Sequence, residues 1–443
     1  MEWLLKIFNY ISDLGAVVMM PIIIAIIGLL LRLSISKAIK AGVTVGVGFI
    51  GLNLVLTLIW DKIGPVTEIL VDRFNLKLSV IDAGWPAAAG LAFATKVGAV
   101  IIPFIIVVNL LMLITKQTRT VDIDIWNYWH FAFTGAVVML ITDSLVYGLI
   151  AAAIQAIITL RLADIIAPRV QKEMNLPGIS IPHGSSMPAV PLAILLEKLY
   201  NYIPGLKDAK LDTSAINKRF GVMGEPMMIG LVLGIILGIA AQYGFKGTAE
   251  LAVSMAALML LLPRMVKVIM EGLMPISDAA KEFMEKRFKG QEFYIGLDSA
   301  ITLGHPTTIT VAILLVPITL VLAMIVPMNT TLPLADLAAT AFFVALVTPI
   351  HRGNVLRTLI TGTILMAIVL VAASHFAPMI TQTGIDTGFK FPEGASQITS
   401  LVAGNWFSFV ISQFLKLKVL GAVLLVALTG AFLYFTRKIE IKE

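Results

Sequence analysis

Leu149 to Ser186 reads LIAAAIQAIITLRLADIIAPRVQKEMNLPGISIPHGSS, and Leu359 to Ser396 reads LITGTILMAIVLVAASHFAPMITQTGIDTGFKFPEGAS. At a constant offset of 210 residues the two stretches share Leu149/Leu359, Ile150/Ile360, Ile154/Ile364, Ile158/Ile368, Leu160/Leu370, Ala163/Ala373, Ala167/Ala377 and Pro168/Pro378. The identities continue through Gly178/Gly388, Pro182/Pro392, Gly184/Gly394 and Ser186/Ser396. Shared Leu and Ile arise easily by chance in an apolar chain. An ungapped series of Pro, Gly, Pro-x-Gly and Ser does not, so an internal duplication is expected. A weaker echo, with a gap, joins Asp82…Pro103 to Asp298…Pro317.

The duplicated unit sits in a membrane-like chain. Of 443 residues, 58% are hydrophobic and 14% charged, and the mean hydropathy is +0.94. A soluble domain is about 45–50% apolar and about 25% charged. The composition excludes a soluble globular enzyme, a disordered chain and a nucleic-acid binder. The net charge of +6 reads as cytoplasmic loop bias rather than a polyanion surface. With no cysteine, disulfides, thiolate metal sites and cysteine nucleophiles are excluded. Only Lys6 precedes the first apolar run, so no removable signal peptide is expected.

About 20 apolar residues in helix cross a bilayer. Clear runs start near Leu14, Ala41, Val97, Leu145, Gly224, Pro306, Leu356 and Val419, and shorter ones near Tyr128, Ala249 and Ala335. Eleven crossings are expected. Basic residues follow alternate spans: Arg32, Lys37 and Lys40, then Lys116 and Arg119, Arg169 and Lys172, the Lys207–Arg219 segment, Arg264 and Lys267, Arg352 and Arg357, and finally Arg437 to Lys442. All fall on one side if the N-terminus is outside and the C-terminus cytoplasmic. That arrangement puts Pro182 inside and Pro392 outside, so the two copies cross in opposite senses. Inverted repeats are typical of transporters that alternate access around a midplane site. Residues 63–78 and 264–289 read as helices along the interface. The second carries Lys267/Glu271 and Glu282/Lys286 at i,i+4, a pairing that supports helix. Trp3 and Trp60 fall near the outer boundary, Trp126 and Trp129 near the inner one, where indoles concentrate.

Four stretches are apolar but broken by Gly, Pro and polar residues: 82–96, 178–196, 296–310 and 388–407. Irregular backbone survives at bilayer depth only inside protein or against a wet cavity. They read as re-entrant hairpins, two from each side, whose helix N-termini present N–H groups to the cavity. The candidate site residues lie here or open a span: Trp85, His130, His183, Glu225, Asp298 and His305. An ionisable group inside the membrane costs at least ~2.5 kcal/mol and marks function by default. Carboxylate and imidazole supply the donors and acceptors a polyol needs, and an aromatic ring covers its C–H face. Each residue also has a structural reading. Asp298 and His305 bridge hairpin to helix, His130 sits near the inner interface, Glu225 starts a helix, and Trp85 packs or meets lipid. His351 reads as a cytoplasmic-loop residue, His375 as an outer-end residue and Asp143 as an outer turn. Neither a Walker sequence, a dinucleotide fingerprint nor a metal-ligand cluster stands out, so no cofactor is expected.

Gly178-Ile-Ser-Ile-Pro-His-Gly184, Leu297-Asp-Ser-Ala-Ile-Thr-Leu-Gly-His-Pro-Thr-Thr308 and Thr348-Pro-Ile-His-Arg-Gly-Asn354 resemble the galactitol-type IIC permease of the bacterial phosphotransferase system. That family shares a superfamily with the ascorbate permeases, and the resemblance covers essentially the whole chain. It implies an all-α polytopic homodimer of the inner membrane, with eleven spanning helices and four re-entrant hairpins in two inverted repeats. The repeats would occupy residues 1–206 and 224–415, with a cytoplasmic linker at 207–223 and a final helix and tail at 416–443. A core part would move against a scaffold part, elevator fashion. His130, His183 and Asp298 fall at positions resembling ligand contacts of the ascorbate relatives, and Trp85 at the first hairpin tip. Gly184 after His183 departs from that branch. The phosphocysteine and phosphohistidine would lie on separate IIB and IIA chains, consistent with a chain that has no cysteine and is not an enzyme on its own. A proton- or sodium-coupled transporter, an intramembrane enzyme and a receptor subunit are the rival readings. The identity of the polyol is open at this stage.

Overall fold

The computed structural model describes residues 15–73, 80–206, 226–287, 293–333, 335–386 and 397–439. Helices predominate. The first half contains α1 (Gly15–Leu30), α2 (Ile35–Arg73), α3 (Trp85–Ala94), α4 (Lys96–Ile114), α5 (Trp129–Thr142), α6 (Leu145–Met174) and α7 (Ala189–Tyr200). The second contains α8 (Pro226–Ala240), α9 (Phe245–Arg287), α10 (Pro306–Ile325), the short α11 (Thr340–Val344) and α12 (Val347–Ile350), then α13 (Val355–Asp386), α14 (Trp406–Leu415) and α15 (Lys418–Thr436).

Among the described residues, α6, α10, α13 and α15 are long and apolar enough to cross a membrane. Shorter apolar helices, α5 and α14 among them, accompany these four. The chain is a helical membrane protein. Its helices differ in role: the apolar window of α6 is 72% buried and that of α15 only 17%. α6 is therefore a core helix, and α15 turns Val419, Leu420 and Val423 outward as a peripheral one. Arg161 of α6 holds the end of α15 by donating to the Thr436 hydroxyl at 3.2 Å and to the Thr436 carbonyl.

The two interface helices of the sequence reading are not separate elements. Residues 63–73 continue α2 and residues 264–287 continue α9, while 74–79 and 288–289 lie outside the described residues. At 1.5 Å per residue a 39-residue α2 is about 58 Å long, far beyond the ~30 Å hydrocarbon layer. Pro65 lies inside α2; a proline removes one intrahelical bond and need not end a membrane helix. α1, α2, α8 and α9 pack on one another as one group.

Six short strands occur among the described residues, a departure from the all-α expectation: β1 (Val80–Asp82), β2 (Thr120–Asp122), β3 (Ile179–Ser180), β4 (Tyr294–Gly296), β5 (Thr331–Leu332) and β6 (Gln397–Thr399). They form two three-stranded parallel sheets, ordered β5-β1-β6 and β2-β4-β3. The physical cause is the backbone requirement noted above. Extended chain buried in a membrane protein must pair its N–H and C=O groups, and the broken segments pair with one another. Each expected hairpin is thus a strand, a turn and a helix: β1 leads to α3, β3 to α7, β4 to α10 and β6 to α14.

Exchanging β1 with β4, β2 with β5 and β3 with β6 converts one sheet into the other. Ile81 pairs with Leu332 and Ile398, and Ile295 pairs with Val121 and Ile179. In this register Asp82 matches Gly296, so the echo of Asp82 in Asp298 is displaced by two residues. Along α6 and α13 the 210-residue offset joins residues of like burial: Leu160 and Leu370, Ala163 and Ala373, and Ala167 and Ala377 are all buried. Asp164 accepts from the Arg119 N–H at 3.0 Å and the Thr120 hydroxyl at 2.8 Å. At the matched position Ser374 accepts from the Thr330 N–H at 2.9 Å and lies 2.8 Å from the Thr331 hydroxyl. Each long helix therefore grips the outer strand of one sheet at the same point. Beyond it the offset widens, since Ile179 matches Ile398; Gly388, Pro392, Gly394 and Ser396 lie outside the described residues.

Candidate binding cavity

The turns that follow the strands converge on one cavity. It is lined by Trp85, Asn127, Trp129, His130, His183, Ser185, Asp298, Ala339, Phe342 and Val402, and holds about 340 Å³ of empty space, part of it open to solvent. Four of the six expected site residues, Trp85, His130, His183 and Asp298, share this cavity although they are far apart in sequence. His305 does not line it. Its Nδ1 accepts the Thr307 N–H at 3.2 Å as the N-cap of α10, and its ring lies against Gly353. Glu225 lies outside the described residues.

Asp298 follows β4 with extended backbone and caps the turn Ser299–Thr302. Its Oδ1 accepts the Ala300 N–H at 2.7 Å, and its Oδ2 accepts from Asn127 Nδ2 at 2.9 Å. Asn127 also donates to Asp124, which fixes the amide orientation. His183 follows β3, and its Nε2 stands 3.5 Å from Asp298 Oδ1. Its Nδ1 lies 2.8 Å from the Ser185 hydroxyl, which donates to it when Nε2 holds the proton. The 3.5 Å gap is too long for a strong hydrogen bond and leaves both groups capacity for another partner.

His130 begins α5. Its Nδ1 lies 3.0 Å from the Asn127 carbonyl oxygen. A carbonyl cannot donate, so in the neutral ring Nδ1 holds the proton and Nε2 is a bare acceptor. That Nε2 is buried and has no hydrogen-bond partner among the described residues. An unsatisfied buried acceptor is costly and calls for a donor in the cavity. Trp129 stacks on His130 with centroids 3.8 Å apart, His130 meets His183 edge-on at 4.9 Å, and Phe342 stacks on His183 at 5.7 Å. This packing requires Gly184: a Cβ there would fall 2.4 Å from His130 Cβ. The carbonyl of Gly184 is held by Asn405 Nδ2 at 3.1 Å, and Asn405 in turn caps α14.

Sequence reasoning missed Asn127, Ser185, Phe342 and Val402, and gave Trp129 an interfacial role. Trp129 is 2% exposed, a core residue and a cavity wall. The neighbourhood of Ser185 in the motif was the available signal; Phe342 and Val402 carry none in an apolar chain. His351, expected in a cytoplasmic loop, is buried, with Nδ1 2.6 Å from Glu197 Oε2 and Nε2 2.8 Å from the Thr361 hydroxyl.

The family model for the PTS system sugar-specific permease component matches residues 10–394. The chain belongs to this permease family. The "Putative permease IIC component" of Escherichia coli (strain K12) is 48% identical over 436 residues, covering 98% of this chain and all of that protein. The "PTS system galactitol-specific EIIC component" of the same strain is 40% identical over 440 residues, 98% of this chain and 96% of that protein; the protein of that name from Escherichia coli O157:H7 matches equally. The permease is thus a galactitol-type IIC transport component with several passes through the inner membrane.

Proposed function

We propose that the permease carries a sugar alcohol of the galactitol type across the membrane and presents it, in this cavity, for phosphorylation by a separate IIB chain. The carrying observation is the convergence of a bare acceptor, His130 Nε2, with a donor–acceptor pair, His183 and Asp298, inside aromatic walls. One polyol hydroxyl donates to His130. A neighbouring hydroxyl, lying to one side of the His183–Asp298 pair, accepts from His183 Nε2–H and donates to Asp298. Trp85, Phe342 and Val402 cover the C–H face. The 40% identity to galactitol-specific components supports the substrate class.

The same reading takes the two exchanged sheets as halves of inverted repeats, in eleven crossings with the N-terminus outside. It takes α1, α2, α8 and α9 as the scaffold against which the cavity-bearing core slides, in a homodimer embedded in lipid. IIA phosphorylates IIB, and phosphorylated IIB modifies the polyol at the inner face, trapping it as an anion. The test is uptake of labelled galactitol into vesicles loaded with phosphorylated IIB. Galactitol phosphate in the lumen, with uptake indifferent to the membrane potential, is the expected result. Accumulation of unmodified galactitol driven by a proton or sodium gradient contradicts it.

A further inference from the structure

The cavity has two walls, and the polar contacts above belong to one of them. The other is made by Trp85 at the start of α3, Ala339 and Phe342 around the start of α11, and Val402 after β6. These come from three separate segments, and one buried carboxylate joins them. Asp336 is fully buried. Its Oδ1 accepts the Trp85 N–H at 2.7 Å. Its Oδ2 accepts the Val402 N–H at 3.0 Å and the Ser400 hydroxyl at 2.5 Å. Its own N–H donates to Asp82 Oδ2 at 2.6 Å, and Asp82 Oδ1 accepts the Gly84 N–H at 3.1 Å. The turn Ala335–Ala339 that carries Asp336 runs directly into α11 and Phe342.

Trp85 opens α3, so its N–H has no intrahelical acceptor, and an N-cap side chain at position 84 would serve later N–H groups, not this one. Gly84 itself has φ +84°, a conformation suited to glycine. Asp82 takes the Gly84 N–H and Asp336 takes that of Trp85. The Trp85 backbone is thereby fixed to the same side chain that fixes Val402.

We propose that Asp336 is a positioning residue for substrate binding, holding Trp85 and Val402 in one wall while touching no substrate itself. The inference rests on the reading of this cavity as the polyol site. Asparagine at 336 has nearly the same shape but one acceptor oxygen. Oδ2 accepts two donors and Oδ1 only one, so the amide oxygen stays with Ser400 and Val402, the amide nitrogen faces the Trp85 N–H, donor against donor, and Trp85 loses its anchor.

The test uses the full-length chain in nanodiscs, labelled with fluorotryptophan, with the Trp85 fluorine resonance identified by its loss in Trp85→Phe. Asp336→Asn is expected to move the Trp85 resonance with no ligand present. In the vesicle assay it is expected to raise KM for galactitol about tenfold, the order expected for one lost hydrogen bond to a charged group, with kcat within about twofold. A merely structural role would lower the active fraction, hence the apparent kcat, and leave KM alone. An unmoved Trp85 resonance or a wild-type KM in Asp336→Asn overturns the proposal. If Asp336→Asn does not reach the membrane folded, Ser400→Ala, which removes one donor, decides by the same two readings with a KM rise of about threefold. If the resonance moves but the wild type handles no polyol, the anchoring of Trp85 by Asp336 stands and the polyol reading falls.

Discussion

At the scale of single residues, the cavity depends on close approaches as much as on polar groups. Gly184 leaves room for the ring of His130, and that ring offers the unpartnered acceptor. Gly184→Ala is expected to push His130 out of line, at an overpacking cost of about 1–3 kcal/mol. Galactitol affinity falls about tenfold or more in isothermal titration, while Gly430→Ala in α15, which meets nothing within 4 Å, leaves it unchanged. Which residues were legible follows the same logic. Asp298, His183 and His130 stand out because ionisable groups are rare and costly in an apolar chain. Phe342 and Val402 do not, since nothing in sequence separates an apolar wall of a cavity from any other apolar residue. His305 was legible as unusual but not as a helix cap, because its partner is the N–H of Thr307 two residues on.

Among elements, the broken segments were readable from their Gly, Pro and polar content, but their pairing was not. Strands of two or three residues carry no alternation long enough to detect, and their partners lie in the opposite half of the chain. Asp164 and Ser374 hold β2 and β5 from matched positions on α6 and α13, yet with unequal strength. Asp164 is a buried carboxylate with Arg161 Nη1 at 3.5 Å, whereas Ser374 is a neutral hydroxyl. Asp164→Ala removes a buried charged acceptor of two hydrogen bonds and is expected to cost about 3 kcal/mol. Ser374→Ala is expected to cost about 1 kcal/mol. Thermal melts of the two variants in detergent check the order; equal losses would mean that the hydroxyl and the carboxylate bear the strand alike.

For the whole molecule, composition and hydropathy were enough to establish a multi-pass membrane protein, because solvent choice is written into every apolar run. The exchange of strands between halves was invisible, since it is a property of three-dimensional pairing. Sidedness is open to direct measurement because the chain has no cysteine, so single cysteines report cleanly. Met328, in the turn before β5, is 78% exposed and Ile439, after α15, is 48% exposed. With the C-terminus inside, Met328→Cys is labelled by an impermeant maleimide added outside intact cells, and Ile439→Cys only after the cells are opened. Labelling of both from one side would contradict the assigned topology.

The most direct measurement is saturable galactitol binding to the purified chain and two cavity variants, Asp298→Ala and His183→Ala, each confirmed folded. Wild-type saturation with at least about tenfold weaker binding in each variant is the predicted result. Affinity equal to wild type in both variants would contradict the placement of the substrate between those side chains.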